Sequence, residues 1–302
     1  MSRGVDDQRV ELAFFMPPEA LRPYITTFYH ARIVGSTSGA VVDRLHPEWA
    51  NLRFVTGGEI RAAVGFDEEV SAIPTLAVTG PTSLSTRFEA DTMQAWGIGL
   101  LPLGWSRLFG VGAADYADRI FDAQREPGFD WLSGMIELCR ENSGGLQGES
   151  DAIAAFFLRH IGPPSRRDAR IVGVQRALVD PEIQHVGQLA DSVGMTKRTL
   201  ERLSREAFGF PPRLLLARQR FLRSLAQFML DPTMKWTATL DPQYYDQAHF
   251  YRDFNRFMGM SPREYASRPH PVLAAAAHAR MAAAGEAMQA LHKPVAPIAD
   301  PA

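Results

Sequence analysis

The chain is poor in cysteine, poor in lysine and without a long apolar run, and the first and last of these shortages remove classes of function. Cys139 is the only cysteine among 302 residues, so no intrachain disulfide can form and no thiolate cluster can hold zinc. Asp6 and Asp7 stand where a secretory leader would be basic, and with the lone cysteine they favour a reducing, cytoplasmic setting. No uncharged apolar stretch approaches the roughly 18 residues that a membrane span needs, so a membrane is not expected as a partner. The three lysines, Lys197, Lys235 and Lys293, leave arginine to carry almost all positive charge, a compositional bias rather than a functional one.

The constellations of common enzymes are missing as well. None of the eight histidines forms a His-x-His pair, and His46-Pro47-Glu48 is one ligand short of a usual metal triad. There is no Gly-x-x-x-x-Gly-Lys-Ser/Thr loop, and Gly97-Ile98-Gly99 lacks the third glycine of a dinucleotide site. Cys139 lies in an amphipathic stretch with Phe129, Leu132 and Leu138 and reads as a buried structural thiol. No catalytic residue, metal ligand or cofactor is expected.

What is present is ordinary in bulk and uneven in distribution. With 46% hydrophobic and 22% charged residues the chain is globular. Its net charge of −2 is the sum of unlike parts. Counting along the sequence, residues 1–162 hold 13 arginines against 21 acids, a net of −8; residues 163–268 hold 17 basic residues against 11 acids, a net of +6; residues 269–302 hold two of each sign. A basic part beside an acidic one suggests that one segment meets a polyanion. It also raises the expectation that the acidic part competes for the basic face when no polyanion is bound.

The expected fold is α+β in three segments. Residues 1–162 read as a β-rich, barrel- or sandwich-like sensing or dimerisation domain with trailing helices. Leu52 and Phe54, then Ile60, Ala62, Val64 and Phe66, alternate around Thr56-Gly57-Gly58-Glu59, which predicts a hairpin. Further strands are expected at 75–79, 85–90 and 94–101, and helices at 105–109, 129–140 and 151–161. Gly162-Pro163-Pro164-Ser165 breaks the chain there. Residues 163–268 read as all helix: 168–179, 186–193, 196–208, 211–230, 236–240 and 246–258, with stops at Gly194, Gly209, Gly259 and the Asp-Pro and Ser-Pro pairs. Residues 269–302 are an Ala/Pro-rich tail, expected to be a loosely attached helix with a disordered end.

Within the basic segment a plan occurs twice: a short helix, a turn, then a helix opening on polar and basic residues. In the first unit Leu189, Ala190 and Val193 face Leu200 and Leu203 across Gly194. Thr196 can cap the second helix, and Lys197, Arg198, Thr199 and Arg202 are left on its outer side. A helix fits the major groove of DNA, where arginine can grip guanine with both arms. In the second unit Phe250, Phe254 and Phe257 form the inner stripe, and Gln247, Ala248, His249, Arg252 and Arg256 lie on other faces. Trp236, Tyr244 and Tyr245 read as core or turn. Arg213, Arg218, Arg220 and Arg223 sit on the helix that joins the units.

The run Tyr244-Tyr245-Asp246-Gln247-Ala248-His249-Phe250-Tyr251-Arg252-Asp253-Phe254, followed by Gly259-Met260-Ser261-Pro262-Arg263-Glu264-Tyr265, resembles the C-terminal signature of the AraC/XylS family of bacterial transcription regulators. The resemblance covers about residues 168–268. It implies an all-α domain of two helix-turn-helix subdomains joined by a long helix, whose recognition helices enter successive major-groove segments. By position, Arg198 and Arg202 carry over as base or phosphate contacts, and Gln247, Ala248, His249 and Arg252 occupy the matching face of the second unit. Leu21-Arg22-Pro23-Tyr24-Ile25 is similar to the opening of N-terminal domains in some regulators of that family. Where the family commonly has glycine before the aromatic of the second turn, this chain has Gln243 preceded by Pro242. Glu201 places an acid beside the first reading face.

Double-stranded DNA is therefore the expected partner. A small-molecule effector and a homodimer are left open, as is RNA polymerase should the protein activate. The alternative is a small-molecule-binding module whose helix-turn-helix units serve protein contacts.

Overall fold

The computed structural model describes residues 9–35, 39–66, 69–141 and 144–297. The side chains of residues 139–141, and with them the reading of Cys139 as a buried thiol, lie outside the described residues. The first half of the chain is an antiparallel sheet: β1 (Arg9–Phe15), β2 (Ile25–Val34), β3 (Val41–Leu45), β4 (Asn51–Val64), β5 (Ser71–Ala72), β6 (Leu76–Thr79), β7 (Thr86–Leu100) and β8 (Ile120–Asp122). β7 is its spine. β4 pairs along nearly all of one edge, while β2 and β3 share the other.

Two expectations about strands are corrected here. The predicted hairpin at 56–59 does not form, because residues 51–64 continue as one strand. Its register against β7 slips between Val55 and Gly57 and again between Gly58 and Ile60. The two glycines therefore serve a pair of bulges, which bend a strand without reversing it. Gly58 has φ +70°, and a Cβ there would lie 1.8 Å from the Thr92 carbonyl oxygen. For the same reason the runs 85–90 and 94–101 are one long strand opposite those bulges. Alternation continues on both sides of the bend: Leu52, Phe54, Ile60 and Ala62 are all buried.

Helix α1 (Pro102–Leu108) lies between β7 and β8 in the chain, and α2 (Gly134–Glu141) and α3 (Gly145–His160) follow the sheet and end before the two prolines. The remainder is helical: α4 (Asp168–Val179), α5 (Val186–Ser192), α6 (Lys197–Phe208), α7 (Pro212–Leu230), α8 (Trp236–Thr239), α9 (Gln247–Met258), α10 (Pro262–Ala266) and α11 (Pro271–Ala284). Gly209 and Gly259 end α6 and α9 with φ of +84° and +71°. Over Gly259 sits the ring of Phe66.

The tail also departs from expectation. α11 is not loosely attached: it packs on β1, β3 and α7. Small alanines let it approach the sheet closely, and Val272, Leu273 and Ala277 are buried. Asp43 of β3 holds its first turn, accepting from the backbone nitrogens of Val272 at 3.1 Å and Leu273 at 2.9 Å, with His270 Nδ1 at 3.2 Å. Beyond α11, Gln289 donates to the Ala50 carbonyl at 3.1 Å and Gln219 of α7 to the Ala290 carbonyl at 2.8 Å.

Arg218 joins the helical part to the sheet. Fully buried, it lies 4.0 Å over the Trp49 ring and donates from Nη1 to the carbonyls of Thr82 at 2.8 Å and Glu48 at 3.3 Å. Burial pushes its pKa down to about 9.

Two buried histidines set a pH response. Desolvation holds His46 at about 3 and His292 at about 4. Both values lie below the unfolded value near 6.5, so below that pH the unfolded chain takes up protons that the folded chain refuses. Stability is thus present above about pH 6.5 and lost on acidification, each histidine contributing at most about 1.4 kcal/mol per pH unit. Urea unfolding midpoints should fall from pH 7 to pH 5, and His46→Gln should flatten that slope. An unchanged slope would remove His46 from the account.

Candidate nucleic-acid interface

The outer helix of the first unit, α6, is set by its ends. The Thr196 hydroxyl accepts from the Thr199 backbone nitrogen at 3.2 Å, satisfying an amide the helix leaves unpaired. Gly194, with φ +62°, makes the turn that precedes it. Leu200, Leu203, Ala207 and Phe208 are buried, Phe208 against Trp49 of the sheet domain at 5.6 Å. Lys197, Arg198 and Arg202 are exposed and Thr199 is half-buried. Arg202 lies 3.3 Å from Glu206, which also pairs with Arg167. Glu201 is held by Arg205 at 3.1 Å on the same helix, so its charge is partly spent. Removing the cap with Thr196→Ala should cost about 1 kcal/mol. A thermal melt checks it, and an unaltered melting temperature would mean that the hydroxyl does not hold the helix end.

The corresponding helix of the second unit, α9, repeats the device with a carboxylate: Asp246 Oδ1 accepts from the His249 backbone nitrogen at 2.6 Å. Phe250, Phe254 and Phe257 are fully buried, as the stripe predicted. Phe254 packs on Trp236 at 5.2 Å, Phe221 at 5.4 Å and Tyr265 at 5.6 Å. Gln247, Ala248, Arg252 and Arg256 are exposed. His249 turns inward, its Nε2 3.0 Å from Arg220, and burial with that neighbouring cation lowers its pKa. Pro242 stands where α8 has already ended, and the Gln243 amide is tied to the Pro181 carbonyl.

Burial and ion pairing sort the remaining residues named from the sequence. Tyr244 is core, but Tyr245 is 93% exposed beside the Asp246 cap; a pattern of two adjacent tyrosines could not show which one faces out. Of the four joining-helix arginines, Arg213 is exposed, Arg218 is buried, Arg220 pairs with Asp253 at 2.7 Å and Arg223 with Asp241. The sheet domain does not lie over the reading faces, since Lys197, Arg198, Arg202, Gln247, Arg252 and Arg256 are all solvent-exposed.

Residues 189–268, 80 of the 302, match the family model described as a helix-turn-helix domain, the type found in AraC regulators. The segment is an AraC-type helix-turn-helix domain. The match supports a DNA-binding role in transcription regulation. No curated protein matches the sequence. Among solved structures the chain is similar to ToxT from Vibrio cholerae, at 12% identity with 80% of this chain and 97% of that chain covered and a TM-score of 0.44. It is similar also to ToxT bound to (E)-4-(8-methylnaphthalen-1-yl)but-3-enoic acid, at 11% identity, 85% and 98% coverage and a TM-score of 0.44. The AraC-like transcriptional activator CuxR aligns at 13% identity, 75% and 86% coverage and a TM-score of 0.32. No helix among the described residues is long and apolar enough to cross a membrane.

Outside the AraC-type segment lies a cavity of about 150 Å³ between the sheet and α11. It is walled by Leu12, Phe14, Ile60, Phe88 and Met93 from the sheet and by Val272 and Leu273 from α11, with Arg53, Glu48 and Arg280 as its charged groups. Sequence reasoning missed it, because the wall alternates like any sheet core and Arg280 sits in a segment read as tail.

Proposed function

We propose that the protein is a sequence-specific regulator that reads two successive major-groove segments, one with α6 and one with α9, under the control of a small effector bound in the cavity. The observation that carries this reading is the contrast among the arginines. On α7, Arg218 is buried and Arg220 and Arg223 are paired with Asp253 and Asp241, whereas Arg198, Arg252 and Arg256, like Arg213 in the first turn of α7, are exposed and form no ion pair among the described residues. Arginine and glutamine on a groove-sized helix suit guanine and adenine edges. Thr196, Lys197 and Thr199 stand at the amino-terminal turn, where backbone amides and hydroxyls suit phosphate.

Affinity in this reading comes mainly from phosphate contacts and falls steeply with salt, whereas base contacts set preference. An electrophoretic shift on genomic fragments over a salt series tests it. A retarded band that weakens strongly between about 50 and 200 mM salt is the expected result. A band indifferent to salt would contradict it, and so would no band at the lowest salt.

A further inference from the structure

We infer that the cavity between the sheet and α11 takes an organic monoanion with an apolar body, whose head group is held by Arg280. The inference rests on the effector reading above and specifies the chemistry of that effector. Arg280 is only 7% exposed, yet among the described residues no carboxylate lies within ion-pair distance of it and it makes no hydrogen bond; its Nη1 is buried without a partner. The ring of Phe14 lies 5.0 Å from the guanidinium carbon, and the Glu48 carboxylate acts on it only from beyond ion-pair distance. A guanidinium stays protonated in a protein, so this is a desolvated cation whose counter-charge is missing.

Of the other polar groups on the wall, Gln289 donates from Nε2 to the Ala50 carbonyl at 3.1 Å and keeps an unpartnered Oε1, which is an acceptor and answers no anion. Arg53 binds Glu48 at 2.8 Å and Thr79 at 2.9 Å, so the Glu48 carboxylate is neutralised within the wall. The Tyr29 hydroxyl reaches Asn51 at 3.2 Å, and His46 Nε2 is 2.7 Å from the Tyr265 hydroxyl. One unpaired positive group in a chamber walled mostly by apolar side chains selects a carboxylate-like head on a hydrocarbon body. Arginine can meet such a head with two parallel N–H donors. A neutral or cationic ligand would leave the guanidinium unpaired.

The position of Arg280 gives the site a consequence for DNA binding. α11 follows the AraC-type segment and packs on both the sheet and α7, the helix that joins the two readers. The opposite wall, 46–48, touches the helical part too, through Arg218 on the Glu48 carbonyl and Tyr265 on His46. An anion on Arg280 ties these two walls together and so acts on the element that spaces the readers.

Titration calorimetry of the full chain with octanoate and with octanol tests the assignment. Octanoate should bind about tenfold more tightly than octanol, the worth of one charge-assisted pairing. Arg280→Met should erase that preference. The variant should melt no lower than the parent, because it removes an unpaired buried charge; a structural role for Arg280 predicts a lower melting temperature. Ala276→Phe, which fills the chamber from α11, should exclude both probes. Equal binding of the two by the parent, no binding of either, a preference that survives Arg280→Met, or octanoate binding to Ala276→Phe would each overturn the proposal. A gel shift on the same samples separates this from the regulator reading: DNA retention without octanoate binding sinks the anion site alone, and octanoate binding without DNA retention sinks the regulator reading alone.

Discussion

Replacing Arg198 and Arg252 together by alanine is expected to weaken binding to a preferred DNA site by roughly 30-fold to 20,000-fold, from a loss of about 1 to 3 kcal/mol at each. The two side chains stand on different helices, share no partner and should add. Both are exposed and form no ion pair among the described residues, so the fold should be untouched and the melting temperature nearly unchanged. Binding to random DNA should fall much less, which brings the two affinities together. Competition of labelled site by random DNA measures the ratio. An unaltered ratio would take both arginines off the reading faces.

Truncation after Arg268 carries the largest expected effect on stability. It removes the buried Val272, Leu273, Met288 and Leu291, each worth about 1.5 to 3 kcal/mol if fully buried, for a loss on the order of 5 kcal/mol once chain entropy is allowed for. It also uncovers the cavity and leaves Asp43 without the two amides it caps. The truncated chain should unfold at far lower urea and bind an apolar dye in the folded state. Asp43→Asn is the milder companion: it keeps the shape and removes the charge, and should cost about 1 kcal/mol. A truncated chain as stable as the parent would show that α11 is the loose tail its composition suggests.

That contrast shows what the residues alone could convey. The helices of the C-terminal part were legible because their signals are local: Thr196 and Asp246 before apolar stripes, Gly209 and Gly259 after them, and phenylalanines at 250, 254 and 257 fix each element within a few residues of itself. The bent strands were not, because Gly57-Gly58 is equally a hairpin turn and a pair of bulges until β7 lies beside it. The same holds for charge. Arg220 and Arg198 look alike in a count, and only the approach of Asp253 from α9 spends the first and leaves the second free. α11 lacked a signal altogether, since alanine tolerates exposure and burial equally and its anchor, Asp43, is more than two hundred residues away.

One body carrying two separately placed reading helices should leave their spacing in the DNA it selects. The most direct measurement is the selection of bound genomic fragments by the purified full chain, with the enriched sites aligned. Two short conserved blocks about one helical turn apart, near 10 base pairs centre to centre, are expected, and Arg198→Ala should blur one block while Arg252→Ala blurs the other. A single block blurred by both variants, or no enrichment at all, would contradict it.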